Sequence, residues 1–423
     1  TPEALFFSRR LADPRLGARL TGRVGKWNVA ALVMDDRAPG EQAPRGSEAS
    51  GAMAATAVGR VVREFGRQST IGAMATSRDF STSSNRVGSV DLRLRLGGNW
   101  VIDAQAMTSR TTRLDGERLA GPAYVAQVGY YGRSLNFVTE YTDRSPGFRA
   151  DLGFIQRSDI REWETEAGYK WFPKGGTLLS WGPGFEATVN WDRTGRVQDW
   201  RVNPEVELEF PRNTNLFAGV DWAYERFAGI GFDKRAAFGF FNTEWLKWLS
   251  ISLGLSRSRG VNYYPAQGLT PFLANETEIE AGLTFRPIPG LRLAQTYIHN
   301  RLDLGPEPQA GSRTGDSIFR LHLARTKATY QFTRALSLRA ILDYSGLTPR
   351  PALVALDRDR RLTGDVLFTY LLNPGTAVYF GFTDAYANLR IDPTLPPSLS
   401  RTDAARTSIG RQVFVKVSYL LRY

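Results

Sequence analysis

The chain has 423 residues, with 54 Lys and Arg against 42 Asp and Glu, and therefore a formal net charge of +12. Mean hydropathy is −0.30, and no run approaches the roughly 18 consecutive apolar residues of a helical membrane span. A helical membrane protein is thereby excluded. The basic residues are spread along the whole chain, which favours an anion-attracting interior or rim over a nucleic-acid-binding face.

Reactive side chains are scarce. Cysteine is absent, which is typical of exported proteins that avoid stray thiol chemistry. Only two histidines occur, His299 and His322, and the sequence contains no His/Cys cluster, no phosphate-cradling glycine loop and no Gly-x-Ser-x-Gly elbow. We therefore expect no metal site, no cofactor and no enzymatic activity.

Strands with alternating side chains follow one another from the start of the chain. Residues 3–10 are expected to form the first strand, and residues 90–96 alternate apolar and charged side chains before a turn at 97–99. Residues 205–210 and 278–285 repeat the pattern with Glu at every second position. Such alternation indicates half-buried strands, and a face of glutamates suits a wet interior with hydrocarbon on the opposite face.

The connections between these strands alternate in length. Short turns are predicted near 25–26, 67–68, 97–99, 133–134, 173–176, 213–214, 247–248, 287–290, 334–335 and 373–375. Longer polar stretches are predicted at 36–50, 110–121, 144–159, 192–199, 226–236, 258–275, 301–316, 345–359 and 384–407. Short turns on one side and long loops on the other are typical of bacterial outer-membrane barrels, where they are periplasmic and extracellular respectively.

These patterns predict an all-β protein: one transmembrane antiparallel up-and-down β-barrel over residues 1–423. Ten short turns give twenty strands, and one strand at each end brings the total to about 22, within a range of 20 to 24. Both termini are then expected on the periplasmic side. A change of alternation phase near 323–325 predicts a β-bulge there.

The last predicted strand, 408–423, places apolar residues on one parity up to the final residue. It resembles the C-terminal signature by which the barrel-assembly machinery recognises its clients. The resemblance makes Tyr419, Leu421 and Tyr423 the expected assembly signal. The alternative is an edge strand that ends in tyrosine by chance.

The parity opposite the apolar one gives the candidate lumen-lining residues. In the early strands these are basic: Arg19, Arg23, Arg93 and Arg95. In the middle strands they are acidic: Glu162, Glu164, Glu166, Glu186, Glu205, Glu207 and Glu209. Either basic and acidic walls create a transverse field in a water-filled pore, or these charges pair with one another and keep the interior solvated.

Two other groups of residues are expected to meet the membrane. Tryptophans and a tyrosine near strand ends are expected in interfacial belts, with sugar stacking as the alternative: Trp27, Trp100, Trp163, Trp171, Trp191, Trp222 and Tyr423. Loop arginines are candidates for contacts with anionic lipopolysaccharide: Arg350, Arg358, Arg360 and Arg361.

Residues 5–10, followed by 17–27, and the Gly- and Phe-rich motif 146–159 resemble an uncharacterised family of large bacterial outer-membrane proteins. In that family the barrel follows an N-terminal module similar to family 9 carbohydrate-binding modules. The resemblance implies a C-terminal barrel that lacks an upstream periplasmic module. The motif 146–159 joins two strands on the long-loop side and is expected to constrict the lumen or to pack across its mouth.

Three functional hypotheses remain open. The leading one is a channel or passive transporter for polar solutes, with carbohydrate-related solutes under consideration. The second is a non-conducting barrel that anchors a surface or periplasmic protein complex, and the third is a soluble, secreted β-protein. Expected partners are outer-membrane lipid, lipopolysaccharide, the barrel-assembly machinery and a periplasmic or surface protein, but not nucleic acid.

Overall fold

Twenty-one strands form one antiparallel sheet in the computed structural model, which describes residues 3–306, 312–373, 375–394 and 398–420. The first ten strands are β1 (Pro14–Val24), β2 (Trp27–Asp36), β3 (Ala54–Phe65), β4 (Ser69–Phe80), β5 (Ser83–Leu96), β6 (Trp100–Thr112), β7 (Arg118–Tyr131), β8 (Leu135–Arg144), β9 (Ile160–Tyr169) and β10 (Ser180–Trp191). The next ten are β11 (Val197–Phe210), β12 (Thr214–Phe227), β13 (Ile230–Leu246), β14 (Leu249–Asn262), β15 (Phe272–Phe285), β16 (Leu291–Leu304), β17 (Ser317–Gln331), β18 (Leu336–Pro349), β19 (Asp359–Asn373) and β20 (Thr376–Ala387).

A separate hairpin pairs β21 (Leu389–Asp392) with β22 (Ser398–Arg401), and β23 (Thr407–Ser418) pairs with β20. Helical structure in the described residues is limited to α1 (Ala38–Gln42) and a 3-10 turn at Ser8–Arg10. None of the helices in those residues has the length and apolar character needed to span a membrane. The expected all-β, up-and-down antiparallel architecture is confirmed.

Alternation of side chains explains why these segments are strands. In β5 and β6 the even-numbered Val90 and Trp100 are exposed, whereas the odd-numbered Val87, Asp91 and Asp103 are buried. The turn between the two strands uses Gly97 at φ 62°, a conformation that glycine adopts without a steric penalty. We call the face that exposes apolar side chains the apolar face, and the opposite one the polar face.

The chain divides into two compact units. Unit 1 contains residues 1–170 and 184–202, and unit 2 contains residues 171–183 and 203–423. In each unit the connections that include the longest loops leave one end of the strands, which we call the loop end. In unit 1 the loop end carries 37–53, 81–82, 113–117, 145–159 and 192–196; in unit 2 it carries 228–229, 263–271, 305–316, 350–358 and 388–406.

Several sequence predictions need correction at this level. The sheet has 21 strands, within the expected range, because residues 3–10 do not form the expected first strand. Leu5 is instead 2% exposed and packs at the loop end of unit 1, so the chain does not enter β1 from the short-turn side. Strict alternation of loop length is also wrong, since connections 81–82 and 228–229 at the loop ends have only two residues.

The predicted bulge near 323–325 is absent from the described pairing of β16 with β17. The register is continuous there, and it shifts instead between Leu302 and Asp303, opposite Phe319 and Ser317. The phase change in the sequence arises because Leu321 and Leu323 lie on the polar face, the opposite parity to His322.

Candidate functional site

The polar face of unit 1 carries ion pairs that bridge neighbouring and next-neighbouring strands. Arg60 on β3 donates two hydrogen bonds of 2.9 Å to the two carboxylate oxygens of Asp91 on β5. The pair crosses β4 at Gly72, where an added Cβ would lie 2.7 Å from an oxygen of Asp91. Two-point contacts between guanidinium and carboxylate are strong and directional, and Asp91 is only 8% exposed.

The four predicted lumen arginines divide into paired and unpaired side chains. Arg23 lies 2.7 Å from Glu64, and Arg93 lies 3.3 Å from Asp103. Arg19 and Arg95 make no side-chain hydrogen bond or ion pair to any described residue. The early strands therefore carry a mixture of ion pairs and exposed cations.

The acidic residues of unit 1 lie side by side on adjacent strands. Glu164 on β9 is opposite Glu140 on β8, and Glu166 is opposite Glu186 on β10. Glu140 accepts a 2.9 Å hydrogen bond from Gln127, and Glu186 lies 3.5 Å from Arg201.

The carboxylates of Glu162, Glu164 and Glu166 form no hydrogen bond or ion pair with any residue that the structure describes. Arg144 and Arg157 partly offset the charge of Glu162, whereas Glu164 lies among Glu140, Glu162, Glu166 and Glu186. Neighbouring carboxylates of this kind need water or mobile cations to remain charged. Sequence reasoning missed Glu140, although it occupies the same parity of β8 as Thr142 and Arg144.

In unit 2, Glu205, Glu207 and Glu209 occupy alternate positions of β11 and share one face of that strand. Glu209 accepts a hydrogen bond from the Ser180 hydroxyl. The structure thus places all three glutamates on the predicted parity. That they line a lumen stays a prediction.

The N-terminal segment and the loop 145–159 fold together onto the polar face of β5, β6 and β7. Phe148 is fully buried and packs with Leu5, Val87, Met107 and Val125 in one apolar cluster. Backbone hydrogen bonds join the two segments at both ends: the N–H of Phe7 donates to the carbonyl of residue 152, and the N–H of residue 154 donates to that of residue 4. The motif singled out in the sequence therefore packs against this face.

A buried asparagine fixes the loop to the sheet. Asn85, 1% exposed, donates to the carbonyl of Arg149 and accepts from the backbone N–H of Asp151. Ser109 on β6 accepts from the backbone N–H of Arg149. Because buried backbone groups are costly to leave unpaired, these contacts set the position of the loop.

A polar cavity of about 620 Å³ opens beside this loop, between residues 10–12, α1 and β4. Its charged lining residues are Arg10, Arg78, Arg149, Asp36 and Asp151. The carboxylate of Asp36 is already engaged by the protein, because it accepts hydrogen bonds from the backbone N–H groups of residues 12, 13 and 38 at 2.8–3.2 Å. The Arg78 guanidinium lies over the Phe80 ring and 3.9 Å from Asp151. Three arginines against two aspartates give the cavity excess positive charge.

Unit 2 has a comparable loop cluster on its own polar face. Leu353 and Val354 are each 1% exposed and pack against Phe272, Leu304 and Ile318. The side chain of Asn262 donates to the carbonyl of residue 353 at 2.8 Å, and a β-bridge joins residues 265 and 354. Loops 263–271 and 350–358 therefore fold onto the sheet of unit 2.

The two histidines meet on the apolar face of unit 2, a proximity that the sequence did not predict. His299 and His322 are opposite each other on β16 and β17 with ring centroids 4.5 Å apart. The hydroxyl of Tyr297 is 2.8 Å from Nδ1 of His322, and Nδ1 of His299 is 3.1 Å from the carbonyl oxygen of Leu321. No serine hydrogen-bonds either ring, and no group of three or more potential metal ligands occurs, among the described residues.

The remaining predicted contacts lie at chain ends and loops. Tyr419 is 71% exposed just beyond β23, whereas Leu421 and Tyr423 lie outside the described residues. All four loop arginines considered for lipopolysaccharide have protein carboxylate or carbonyl partners: Arg350 with Asp316, Arg358 and Arg360 with Asp403, and Arg361 with Asp359.

Comparison with solved structures shows the fold. The siderophore receptor PirA from Pseudomonas aeruginosa matches with a TM-score of 0.51 and 13% identity, over 94% of this chain and 81% of that one. The copper transporter OprC matches with a TM-score of 0.52 and 11% identity, over 94% and 72%. A ferric enterobactin receptor of P. aeruginosa, solved with enterobactin, gives 0.51 and 11%, over 92% and 78%.

No family model and no curated protein matches the sequence. The structural matches show that the chain has the all-β antiparallel fold of outer-membrane barrels. The upstream carbohydrate-binding module implied by the family resemblance finds no support in these matches.

Proposed function

We propose that the chain is an outer-membrane channel or passive transporter for polar solutes, with the polar face lining the path. The observation that carries the proposal is the row of Glu162, Glu164 and Glu166 on one face of β9, whose carboxylates form no hydrogen bond or ion pair with a described residue. Carboxylates in this arrangement require water. The apolar side chains exposed on the opposite face of the same strands require hydrocarbon.

The inward loops indicate how passage is restricted. Loop 145–159 and the N-terminal segment occupy the polar face at the loop end of unit 1, and the cavity beside them has the size of a small-molecule site. In the proposed function, polar solutes contact Arg10 and Arg78 in this cavity during passage. The solved neighbours are receptors or transporters for siderophores and copper, so nothing in them supports carbohydrate-related solutes. The proposed function therefore does not include such solutes.

Ion conductance tests the proposal directly. The refolded barrel is inserted into planar bilayers, and single-channel current and reversal potential are measured in a KCl gradient. We expect discrete conductance, and we expect E162Q/E164Q/E166Q to shift the reversal potential away from cation preference because three mobile-cation sites are removed. The control is E117Q, since Glu117 is an exposed loop carboxylate paired with Arg113.

A barrel that stays closed in every bilayer would contradict the transport function and would support the alternative, a non-conducting barrel that anchors a protein complex. Conductance with unchanged selectivity in the triple variant would place the ion path elsewhere.

Orientation follows from the same proposal: the loop ends face outside and the short turns face the periplasm. Because the chain has no cysteine, single substitutions report orientation without background. Asp115→Cys in connection 113–117 should react with a membrane-impermeant maleimide on intact cells, and Asn99→Cys in turn 97–99 should not. The reverse labelling pattern would invert the proposed topology.

Insertion is proposed to depend on the barrel-assembly machinery through Tyr419, Leu421 and Tyr423. Deletion of the last three residues should reduce the heat-modifiable fraction in membranes. Tyr264→Ala is the control, since Tyr264 is an exposed loop tyrosine of unit 2. Equal insertion of both variants would remove the assembly role from the C-terminus.

A further inference from the structure

A row of cations crosses four neighbouring strands on the apolar face of unit 2. The register pairs Arg257 on β14 with Thr277 on β15, Thr277 with Arg301 on β16, and Arg301 with Arg320 on β17. We call Arg257, Arg301 and Arg320 the arginine row. Neighbouring strands lie about 4.8 Å apart, so the row extends over roughly 15 Å.

The row marks a boundary on this face. One step toward the short turns, the aligned residues are Leu255, Ile279, His299 and His322, and one step further they are Leu253, Ala281, Tyr297 and Ala324. Leu253 and Leu255 are exposed apolar side chains. The face therefore passes from hydrocarbon-compatible residues through the histidine pair to guanidinium groups, as expected where a lipid bilayer changes from acyl chains to headgroups.

Protein groups neutralise the row only in part. Arg257 donates to the Thr277 hydroxyl at 3.1 Å, and Arg301 donates to Asp303 at 2.7 Å. The Arg320 guanidinium has no hydrogen bond or ion pair to any described residue. Asp303 is the single carboxylate that β14 to β17, all of whose residues are described, present on this face.

Like charges directly opposite across a ladder destabilise the pairing, and Arg301 faces Arg320 in this way. An anion between the two guanidinium groups removes the repulsion. A phosphate fits best, because the planar guanidinium fork matches its oxygens in two-point contacts. At the headgroup level of a bilayer, the phosphate at hand belongs to a lipid.

We propose that the arginine row binds the phosphate of a phosphorylated lipid headgroup at the outer rim of the barrel. The site is independent of solute passage, so its failure would leave the transport proposal intact. It also differs from the four loop arginines: each of those has a partner within the protein, whereas the Arg320 side chain of the row has none among the described residues.

The test measures lipid retention on the refolded full chain by native mass spectrometry from mixed micelles. Phosphorylated lipid A, dephosphorylated lipid A and phosphatidylglycerol are supplied separately. We expect R320Q to weaken the binding of phosphorylated lipid A about tenfold, which is about 1.4 kcal/mol, because one charge-assisted contact to the phosphate is lost. R320Q removes no side-chain hydrogen bond or ion pair to a described residue, and heat-modifiable migration verifies that the variant is folded.

The matched control is R86Q. Arg86 lies on the apolar face at the loop end of unit 1, and Asp79 already neutralises it at 2.6 Å. R86Q should change retention less than twofold. Equal losses in R320Q and R86Q, or equal retention of phosphorylated and dephosphorylated lipid A, would overturn the proposal.

Two further arms identify the source of the phosphate. Phosphatidylglycerol retained as tightly as lipid A, with the same loss in R320Q, would support a general phospholipid site. Retention of lipid A alone would support a site for lipopolysaccharide. Displacement of the lipid by millimolar inorganic phosphate would show that the row takes a soluble anion and would contradict the lipid assignment.

Discussion

The two units solve the same packing problem with different parts of the chain. In unit 1, loop 145–159 is held by a segment from the N-terminus, because Leu5 completes the cluster around Phe148. In unit 2, loops 263–271 and 350–358 are held by each other and by the strand ends beside them. In both units a buried asparagine near the loop end of a strand binds the backbone of the incoming loop, Asn85 in one and Asn262 in the other. The difference teaches that an apolar anchor and a polar one can hold a loop on the polar face, whichever part of the chain supplies them.

Of the substitutions proposed for the two units, Phe148→Ala should release its loop most completely. Removal of a fully buried phenylalanine costs about 3–5 kcal/mol, so the loop and the N-terminal segment should detach from unit 1. Limited proteolysis within 145–159 and single-channel conductance should both increase. Phe154→Ala is the matched control in the same loop, since Phe154 is 50% exposed. Similar proteolysis of both variants would show that the cluster does not hold the loop.

Leu353→Ala tests the corresponding anchor in unit 2. The expected cost is about 2–5 kcal/mol, because Leu353 is 1% exposed and packs among Phe272 and Leu304. Proteolysis should increase in 350–358 but not in 145–159, as measured by peptide mapping. Leu399→Ala serves as the control, since Leu399 is 70% exposed. Release of both loops by the single change would refute independent anchoring of the two units.

Asn85→Ala and Asn262→Ala compare the polar anchors. Asn85 makes three hydrogen bonds, including one of 2.8 Å to Thr111, whereas Asn262 makes one to the carbonyl of residue 353. Each loss leaves buried groups unpaired at about 1–3 kcal/mol, and Asn85 should cost more. Urea unfolding in liposomes measures the difference. If Asn262→Ala lowered the free energy of unfolding more than Asn85→Ala, the apolar cluster and not Asn85 would position the loop of unit 1.

Acid should produce the smallest effect, in one loop of each unit. The Thr194 hydroxyl, with the backbone N–H groups of Arg196 and Thr194, lowers the pKa of Asp192. The backbone N–H of Arg313, followed by Arg350, lowers the pKa of Asp316. Depressed carboxyl pKa values contribute stability above the ordinary pKa of about 3.9, and this contribution is lost as pH falls through the lowered values.

Hydrogen exchange of these two loops should therefore be constant from pH 7 to pH 5, after correction for intrinsic rates, and protection should fall below about pH 4. Asp192→Asn should abolish the transition in 192–196 and leave 305–316 unchanged. A transition near neutral pH would assign the titration to other groups.

The strands could be predicted from the sequence because each one has a local pattern of alternating side chains. The alternation of Val90 with Asp91 and the glycine turn before Trp100 define β5 and β6 without reference to the rest of the chain. The placement of residues 3–10 failed because a short apolar run such as Leu5 to Phe7 has the composition of a strand. What decides its conformation is contact with Val87 and Val125, about 80 and 120 residues away.

The same limit applies to the candidate site. Parity placed Glu162 and Glu164 on one face, because period 2 is a local property. The partners Arg60 with Asp91, and His299 with His322, depend on strand register, and register emerges only when neighbouring strands pair. The arginine row escaped notice for that reason: Arg257 and Arg320 are far apart in the chain and meet only through the ladder.

The ion pair above Gly72 has a consequence for how the sheet is assembled. A one-residue slip of β4 against β5 would turn its side chains to the wrong face, and a slip of two would place Thr70 or Met74 opposite Asp91. Either side chain would obstruct the crossing that Arg60 makes in the native register. We therefore expect Gly72 to favour the native register during membrane insertion. The Arg60–Asp91 ion pair can form only when β4 and β5 pair in that register.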